Sequence, residues 1–358
     1  MIDAPAGTSK PFALQGMSSL AGLRFAVSAT IAIVLLSVLL LEAGGYDSSL
    51  ALMALWNGSL GSAYALTSAT LVRATPLILT GLAVALAFRA GVFNIGAEGQ
   101  LLTGAALGAV IGVKLSGTLG VLTLPAELVA GAMAGALWAG IAAWLRSRFR
   151  VLEVISTIML NFVAVHGVGY MVRGPLQEPL RIYPQTEALA ELAQIPKLIV
   201  GTRLHWGLVV AVAAAVSLWW VLRFTAVGFR LRTAGANPHA AQSAGLIDVG
   251  RVTVTAFLAS GALAGLAGAV ELTGVTFALY ENISPGYGYT AIAVALLARL
   301  NPLAVVGTGV FFGALEAGAS AMQRDAGVPA AFVSVVEAGI VLAVIAFDRL
   351  REDRTGTQ

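Results

Sequence analysis

The chain of 358 residues is short of the side chains on which most soluble chemistry depends. It contains no cysteine, which excludes disulfides, thiolate catalysis and cysteine-ligated metal sites. Only 11% of its residues are charged, whereas soluble domains carry about 25%. Intrinsic disorder is excluded as well, because disordered chains are poor in apolar residues and 58% of this chain is apolar.

Lysine and histidine are also scarce. None of Lys10, Lys114 and Lys197 stands in a Gly-Lys-Ser/Thr sequence, so the chain lacks that phosphate-binding loop. Its three histidines are too far apart for a His-Glu-x-x-His zinc motif, and we expect no metal site. The net charge of +3 is too small for a nucleic-acid-binding protein. These absences leave an all-α, polytopic membrane protein without catalytic residues or a cofactor of its own.

Apolar runs predict ten transmembrane segments, because a spanning helix needs about 20 mostly apolar residues. The segments are residues 23–41, 66–88, 95–113, 124–145, 153–171, 205–222, 252–275, 288–299, 303–320 and 329–347. The eighth is too short to span alone, which indicates a broken or re-entrant element. Together they form one predicted membrane domain, residues 23–347, between cytosolic segments 1–22 and 348–358.

The distribution of basic residues predicts the orientation in the bilayer. With the N-terminus in the cytosol, 14 of the 21 lysines and arginines lie on the cytosolic side and 7 outside. Both termini are therefore expected in the cytosol. Glycines recur at four-residue spacing in several spans, which predicts close helix packing within one bundle in preference to a specific dimer face.

Polar residues inside spans are costly unless paired or hydrated, so they are functional candidates. Residues 91–100 form a glycine-interrupted break that cannot be one straight helix, and Asn94, Glu98 and Gln100 either line a solvated pathway or occupy a cytosolic turn. Asn161 lies two turns into the fifth span and either lines the pathway or bonds a neighbouring helix.

Two further glutamates lie inside apolar runs. Glu271 and Glu316 are pathway candidates, with interhelical hydrogen bonding as the alternative. Residues 281–289 contain proline and glycine and predict a second break before the short eighth segment.

The cytosolic loop of residues 223–250 contains the signals of a short helix. Asn237 suits an N-cap, Pro238 the first helical position and Gly245 the stop. The helix between them, which begins at His239 and includes Ala241, either docks into a partner or merely connects two spans.

Four blocks of this sequence resemble the permeases of bacterial ATP-binding-cassette (ABC) importers, in the clade for simple sugars, branched-chain amino acids and nucleosides. The blocks are residues 93–100, 153–161, 235–245 and 284–302, in the family's order. The likeness is greatest to nucleoside permeases that work with a basic-membrane-protein type lipoprotein. It implies a multi-pass protein of the bacterial cytoplasmic membrane that imports nucleosides by alternating access.

The resemblance also implies partners. A second permease subunit, identical or homologous, would complete the pathway, and an extracytoplasmic binding lipoprotein would deliver the substrate. An ABC ATPase subunit would bind and hydrolyse ATP, and the loop helix with Asn237, Pro238, His239, Ala241 and Gly245 would be the coupling helix that docks into it. Import of a simple sugar is the nearest alternative, and proton-coupled secondary transport through Glu271 and Glu316 is a more distant one.

Overall fold

A computed structural model describes residue 35, residues 37–243 and 247–329, and the pairs 331–332, 334–335 and 338–339. The chain divides into two compact units, residues 49–333 and the terminal segments 1–48 with 334–358. Most of the terminal unit, including both predicted cytosolic ends, lies outside the described residues. So do most of the first and last predicted spans, and Gly245.

The secondary structure of the larger unit is helical, as the sequence predicts, with a long and mostly irregular loop at residues 174–206. Its helices are α1 Ser48–Ser59, α2 Leu71–Arg89, α3 Ala97–Leu119, α4 Thr123–Phe149, α5 Glu153–Arg173, α6 Gly207–Phe224, α7 Ala226–Ala236, α8 Pro238–Ser243, α9 Val249–Glu271, α10 Tyr287–Leu297 and α11 Pro302–Ala326. Single π-helical turns precede α2 at Leu66–Thr70 and follow α9 at Leu272–Thr276. The part of the chain that the structure describes contains two isolated β-bridges and no strand.

Each of the eight middle predicted spans corresponds to one helix. Among the described residues, six segments are long and apolar enough to cross a membrane, and one of them, Ala97–Phe149, contains both α3 and α4. A short turn that begins at Gly120, with a φ of 54°, separates these two helices. Helix α10 has only 11 residues, which confirms that the eighth segment is too short to span alone.

Helix α2 lies at the centre of the bundle. Every residue from 74 to 87 is buried, because α6, α9, α10 and α11 pack around it. A helix that is apolar on all sides is stable only when it is enclosed in this way. Pro76 removes one backbone donor, and the Thr80 hydroxyl donates to the Pro76 carbonyl oxygen over 2.7 Å.

Helices α3, α4 and α9 pack closely where their glycines meet. A Cβ atom on Gly104 would lie 2.2 Å from the carbonyl oxygen of Gly265, and one on Gly135 would lie 2.2 Å from that of Gly261. Such distances leave no room for a methyl group. The predicted use of the spaced glycines, close packing inside one bundle, is confirmed.

Candidate functional site

The chain leaves helical geometry between α2 and α3, as predicted for residues 91–100. Gly91 has a φ of 72°, which a glycine adopts at little cost. Asn94 follows and is fully buried. Its Oδ1 accepts hydrogen bonds from the Gly96 amide (2.9 Å) and from Gln100 Nε2 (3.0 Å). Asn94 and Gln100 therefore hold the break by an amide pair inside the protein, away from solvent.

Ser260 connects this amide pair to two spans. Asn94 Nδ2 donates to Ser260 Oγ over 2.9 Å, and the same hydroxyl donates to the Ala83 carbonyl oxygen over 2.8 Å. Since Ser260 belongs to α9 and Ala83 to α2, the break is fixed to the central helix pair. Ser260 was not among the sequence candidates, because a single serine in a run of alanine and glycine is common in membrane helices.

Glu98 joins the break to α10. Its carboxylate accepts the amide of Gly288 over 2.7 Å and also a hydrogen bond from the Ser284 hydroxyl. The first amides of a helix have no partner within it, and a carboxylate at that end is favoured by the helix dipole. Gly288 allows the approach, because a Cβ there would lie 2.2 Å from the Glu98 amide nitrogen.

Asn161 connects α5 to the same place. Its Oδ1 accepts the Gly99 amide (2.9 Å), and its Nδ2 donates to the Ile95 carbonyl (3.0 Å) and the Tyr289 hydroxyl (3.3 Å). Asn161 is fully buried. The structure thus brings three of the predicted polar blocks, residues 91–100, 153–161 and 281–289, into one hydrogen-bonded network.

Glu271 and Glu316 lie apart from this network. Glu271 is buried at the end of α9, within electrostatic range of Arg73 and Arg203. The Arg73 guanidinium donates to Ser320 Oγ over 3.2 Å, and Ser320 lies one turn after Glu316 on α11. These groups come from the predicted outer halves of three helices and from the loop before α6.

The predicted short helix of the cytosolic loop is present as α8, and the predicted cap is confirmed. Asn237 Oδ1 accepts the Ala240 amide over 2.9 Å. Asn237, Pro238 and His239 are exposed, and so is Ala240. Ala241 is only 1% exposed.

Ala241 faces the protein, unlike the other residues proposed for docking. It belongs to one apolar cluster with Leu231, Ala234 and Ile247, and this cluster extends into the spanning helices. A two-turn helix made mostly of small residues has no apolar stripe from which the sequence could have shown the buried side.

Helices α7 and α8, from the loop predicted to be cytosolic, contact the break directly. A Cβ atom on Gly235, near the end of α7, would lie 2.2 Å from the Arg89 carbonyl oxygen, and one on Gly91 would lie 3.1 Å from the Gly235 Cα. The backbones of α7 and of the break are therefore in contact. Ala241 and Val92 belong to one apolar cluster, which extends this contact to α8.

Broken helices and a short helix bound to a buried polar network, within a bundle of apolar spans, define a polytopic membrane transport protein. Residues 66–345 match the family model described as the permease component of branched-chain amino acid transport systems. The chain belongs to this permease family and is a transport subunit. The resemblance drawn from the four sequence blocks is confirmed.

Curated relatives agree with this assignment. The chain is 40% identical over 309 residues to the guanosine ABC transporter permease NupP of Bacillus subtilis, covering 86% of this chain and 88% of NupP. It is 40% identical over 308 residues to the glucose ABC transporter permease TsgB13 of Haloferax volcanii, covering 83% and 80% of the two chains. The nucleoside permease NupB of Lactococcus lactis is 31% identical, with 87% of each chain covered.

Proposed function

We propose that this chain is the permease subunit of an ABC importer for nucleosides in the cytoplasmic membrane. The observation that carries the mechanism is the contact between the cytosolic helices α7 and α8 and the break that holds α10. Two permease subunits would enclose the pathway, a binding lipoprotein would deliver the substrate, and a partner ATPase would hydrolyse ATP. The guanosine and nucleoside permeases among the relatives support the choice of substrate.

The transport step follows from the network. A movement of α8 on docking would displace α7, on which α8 packs, and reach the break through the contact of Gly235 on α7 with Arg89 and Gly91. Glu98 is bonded to Gly288, so a shift of the break displaces the start of α10. Alternating access would then be two arrangements of α10 that ATP binding and hydrolysis favour in turn.

The proposed site residues have two roles in this account. Asn94, Glu98, Gln100 and Asn161 are positioning residues, since they hold the break and α10 through hydrogen bonds. Glu271 and Glu316 are proposed to lie along the outer part of the pathway, and the exposed residues Asn237, Pro238, His239 and Ala240 are proposed to contact the ATPase.

A sugar importer is the second candidate, and the glucose permease of Haloferax volcanii favours it. The test is uptake of radiolabelled adenosine, guanosine, uridine, ribose, galactose and glucose in cells without the gene and after its restoration. We expect cells without the gene to lose nucleoside uptake but not sugar uptake, and we expect restoration of the gene to bring nucleoside uptake back. Loss of sugar uptake alone would contradict the nucleoside assignment and would still agree with an ABC importer permease. Uptake that stops when an ionophore removes the proton gradient, at constant ATP, would support proton coupling instead.

A further inference from the structure

Helix α5 has one packed face and one exposed face. Its buried stripe, formed by Thr157, Asn161, Ala164, Val168 and Val172, packs on α3 and α4. His166 lies nine residues after Thr157, which at about 3.6 residues per turn is two and a half turns. The imidazole therefore projects from the opposite face, and His166 is exposed.

His166 also lies deep in the span. Seven residues separate it from Arg173 at the predicted outer end of α5, which corresponds to about 10 Å along a helix. An ionisable side chain that faces lipid at this depth costs several kcal/mol, so such residues face a water-filled cavity or other protein groups. The exposed face of α5 is otherwise apolar, with Ile155, Met159, Phe162 and Val163, so His166 is the group on it that calls for water or a protein partner.

Helix α4 shows what a lipid-facing surface in this protein looks like. Between residues 129 and 144 its exposed side chains are all apolar, namely Val129, Met133, Leu137, Ile141 and Trp144. Helix α6 is similar, with Val209, Val212, Val216 and Trp220 exposed. Helix α5 differs from α4 and α6 because its exposed face carries His166.

The non-helical segment before α10 runs beside α5. Arg173 forms an ion pair with Glu281 over 2.7 Å, and Asn161 contacts the Tyr289 hydroxyl over 3.3 Å. Asn282 is exposed in this segment, and Tyr289, in the first turn of α10, is 46% exposed. Non-helical backbone at membrane depth is tolerated only where it lines a water-filled cavity or is covered by protein.

We propose that the exposed face of α5 and the segment of residues 281–289 form a wall of the translocation pathway, where His166 and Tyr289 contact the solute. This inference rests on the proposed function and names specificity-determining residues for it. An imidazole donates and accepts hydrogen bonds, and a phenol ring offers a face for stacking on a nucleobase. Arg173 is neutralised by Glu281, so the wall suits a neutral nucleoside better than an anion.

The absence of cysteine makes a clean test possible, because any thiol introduced into this chain is the only one. The test variant is His166→Cys in cells that express the complete transporter. The matched control is Val129→Cys, 59% exposed on α4 and about 9 Å from that helix's outer end. Leu180→Cys, 78% exposed in the outer loop, gives the rate for a hydrated site.

Each variant is treated with a charged, membrane-impermeant methanethiosulfonate, and the total thiol is counted after solubilisation. We expect His166→Cys to react within about tenfold of the rate of Leu180→Cys, since both sites are hydrated, and Val129→Cys to react at least about a hundredfold more slowly. Reaction at position 166 should also block uptake, whereas treatment of the Val129→Cys transporter should not.

Two outcomes would overturn the proposal. If His166→Cys reacts only with a membrane-permeant, apolar maleimide, as Val129→Cys should, this face meets lipid. If position 166 is closed to the soluble reagent and an oxidant crosslinks it to a second permease subunit, the face is a subunit interface. Labelling does not depend on which solute is carried, so this result is separate from the uptake test of the nucleoside assignment.

Discussion

At the residue scale, the buried polar side chains of this permease hold backbone in place. Asn94 and Asn161 both bond main-chain groups of the break, and the Glu98 carboxylate bonds the first turn of α10. Buried polar groups are tolerated only when paired, and here the pairing fixes two segments that are not helical. The polar residues that stand out in the sequence therefore mark where helices are broken.

Replacement of Asn161 tests this interpretation. Asn161→Ala leaves the Gly99 amide and the Ile95 carbonyl buried without their side-chain partner, and we expect a loss of about 1–3 kcal/mol of stability. Thermal unfolding of the purified protein in detergent measures the loss. The control is Met159→Ala on the exposed face of the same helix, which should change the melting temperature little. Equal melting temperatures for the two variants would contradict the positioning role.

His205 predicts how stability depends on pH. Burial, with the charge of Arg203 adding to it, lowers the pKa of His205 to about 4 from its usual 6.5. The folded protein then binds fewer protons than the unfolded chain between these values, so stability falls as pH falls from about 6.5 to about 4. The full loss is about 3 kcal/mol.

The cause is structural, since His205 Nδ1 accepts the Gly207 amide over 3.1 Å and can do so only while unprotonated. We expect the melting temperature of the parent protein to drop between pH 7 and pH 4.5. The drop should be smaller in His205→Gln, whose side chain does not titrate. An identical drop in both proteins would show that other groups control the pH dependence.

The sequence alone pointed to the important polar residues, but it did not show what the small residues do. Asn94, Glu98 and Asn161 were visible because a polar side chain is rare in an apolar run. Ser260, Gly288 and the burial of Ala241 were not, because serine, glycine and alanine are ordinary residues of membrane helices. Their roles depend on which backbone lies opposite, and one sequence does not contain that information.

At the element scale, apolar runs and their breaks predicted every long helix of the described unit. Helices α1 and α7 were missed, because each is short and α7 carries Arg230 and Arg232. The sequence predicted only part of the glycine crossing, the place where α3, α4 and α9 pack at their glycines. Four-residue spacing predicts that a helix has a smooth face, and the structure shows that the smooth faces of these three helices pack on one another.

A methyl group should therefore disrupt the crossing. In Gly265→Ala the new Cβ would lie 2.2 Å from the Gly131 carbonyl oxygen, so the helices must separate, and overpacking of this kind costs about 1–3 kcal/mol. We expect a lower melting temperature and a lower yield of inserted protein. Gly307→Ala on α11 is the control, because nothing lies within 4 Å of its Cβ position. An unchanged melting temperature and yield in Gly265→Ala would contradict the close packing of these helices.

At the scale of the whole molecule, the proposed transport depends on movement being passed from α7 and α8 through the break to α10. Gly235→Ala places a methyl group 2.2 Å from the Arg89 carbonyl oxygen and should push α7 away from the break. We expect the assembled transporter to keep ATP hydrolysis and lose at least about tenfold in uptake, since about 1.4 kcal/mol of lost coupling suffices. Proportional loss of both activities would indicate general damage instead.

The two neighbouring alanines of α8 separate docking from folding. Ala240 is exposed and Ala241 is buried, so Ala240→Arg should leave the permease stable and prevent the ATPase from co-purifying. Ala241→Arg should lower the melting temperature, because it forces a charge into an apolar cluster. Retention of the ATPase by Ala240→Arg would contradict the proposed coupling surface.

The most direct test of the central claim is transport in proteoliposomes that contain this permease with its ATPase and binding protein. We predict that guanosine enters only when all subunits and ATP are present, because the proposed function assigns the pathway to this chain and ATP hydrolysis to the partner. Guanosine uptake by the permease alone, without the ATPase, would contradict the account.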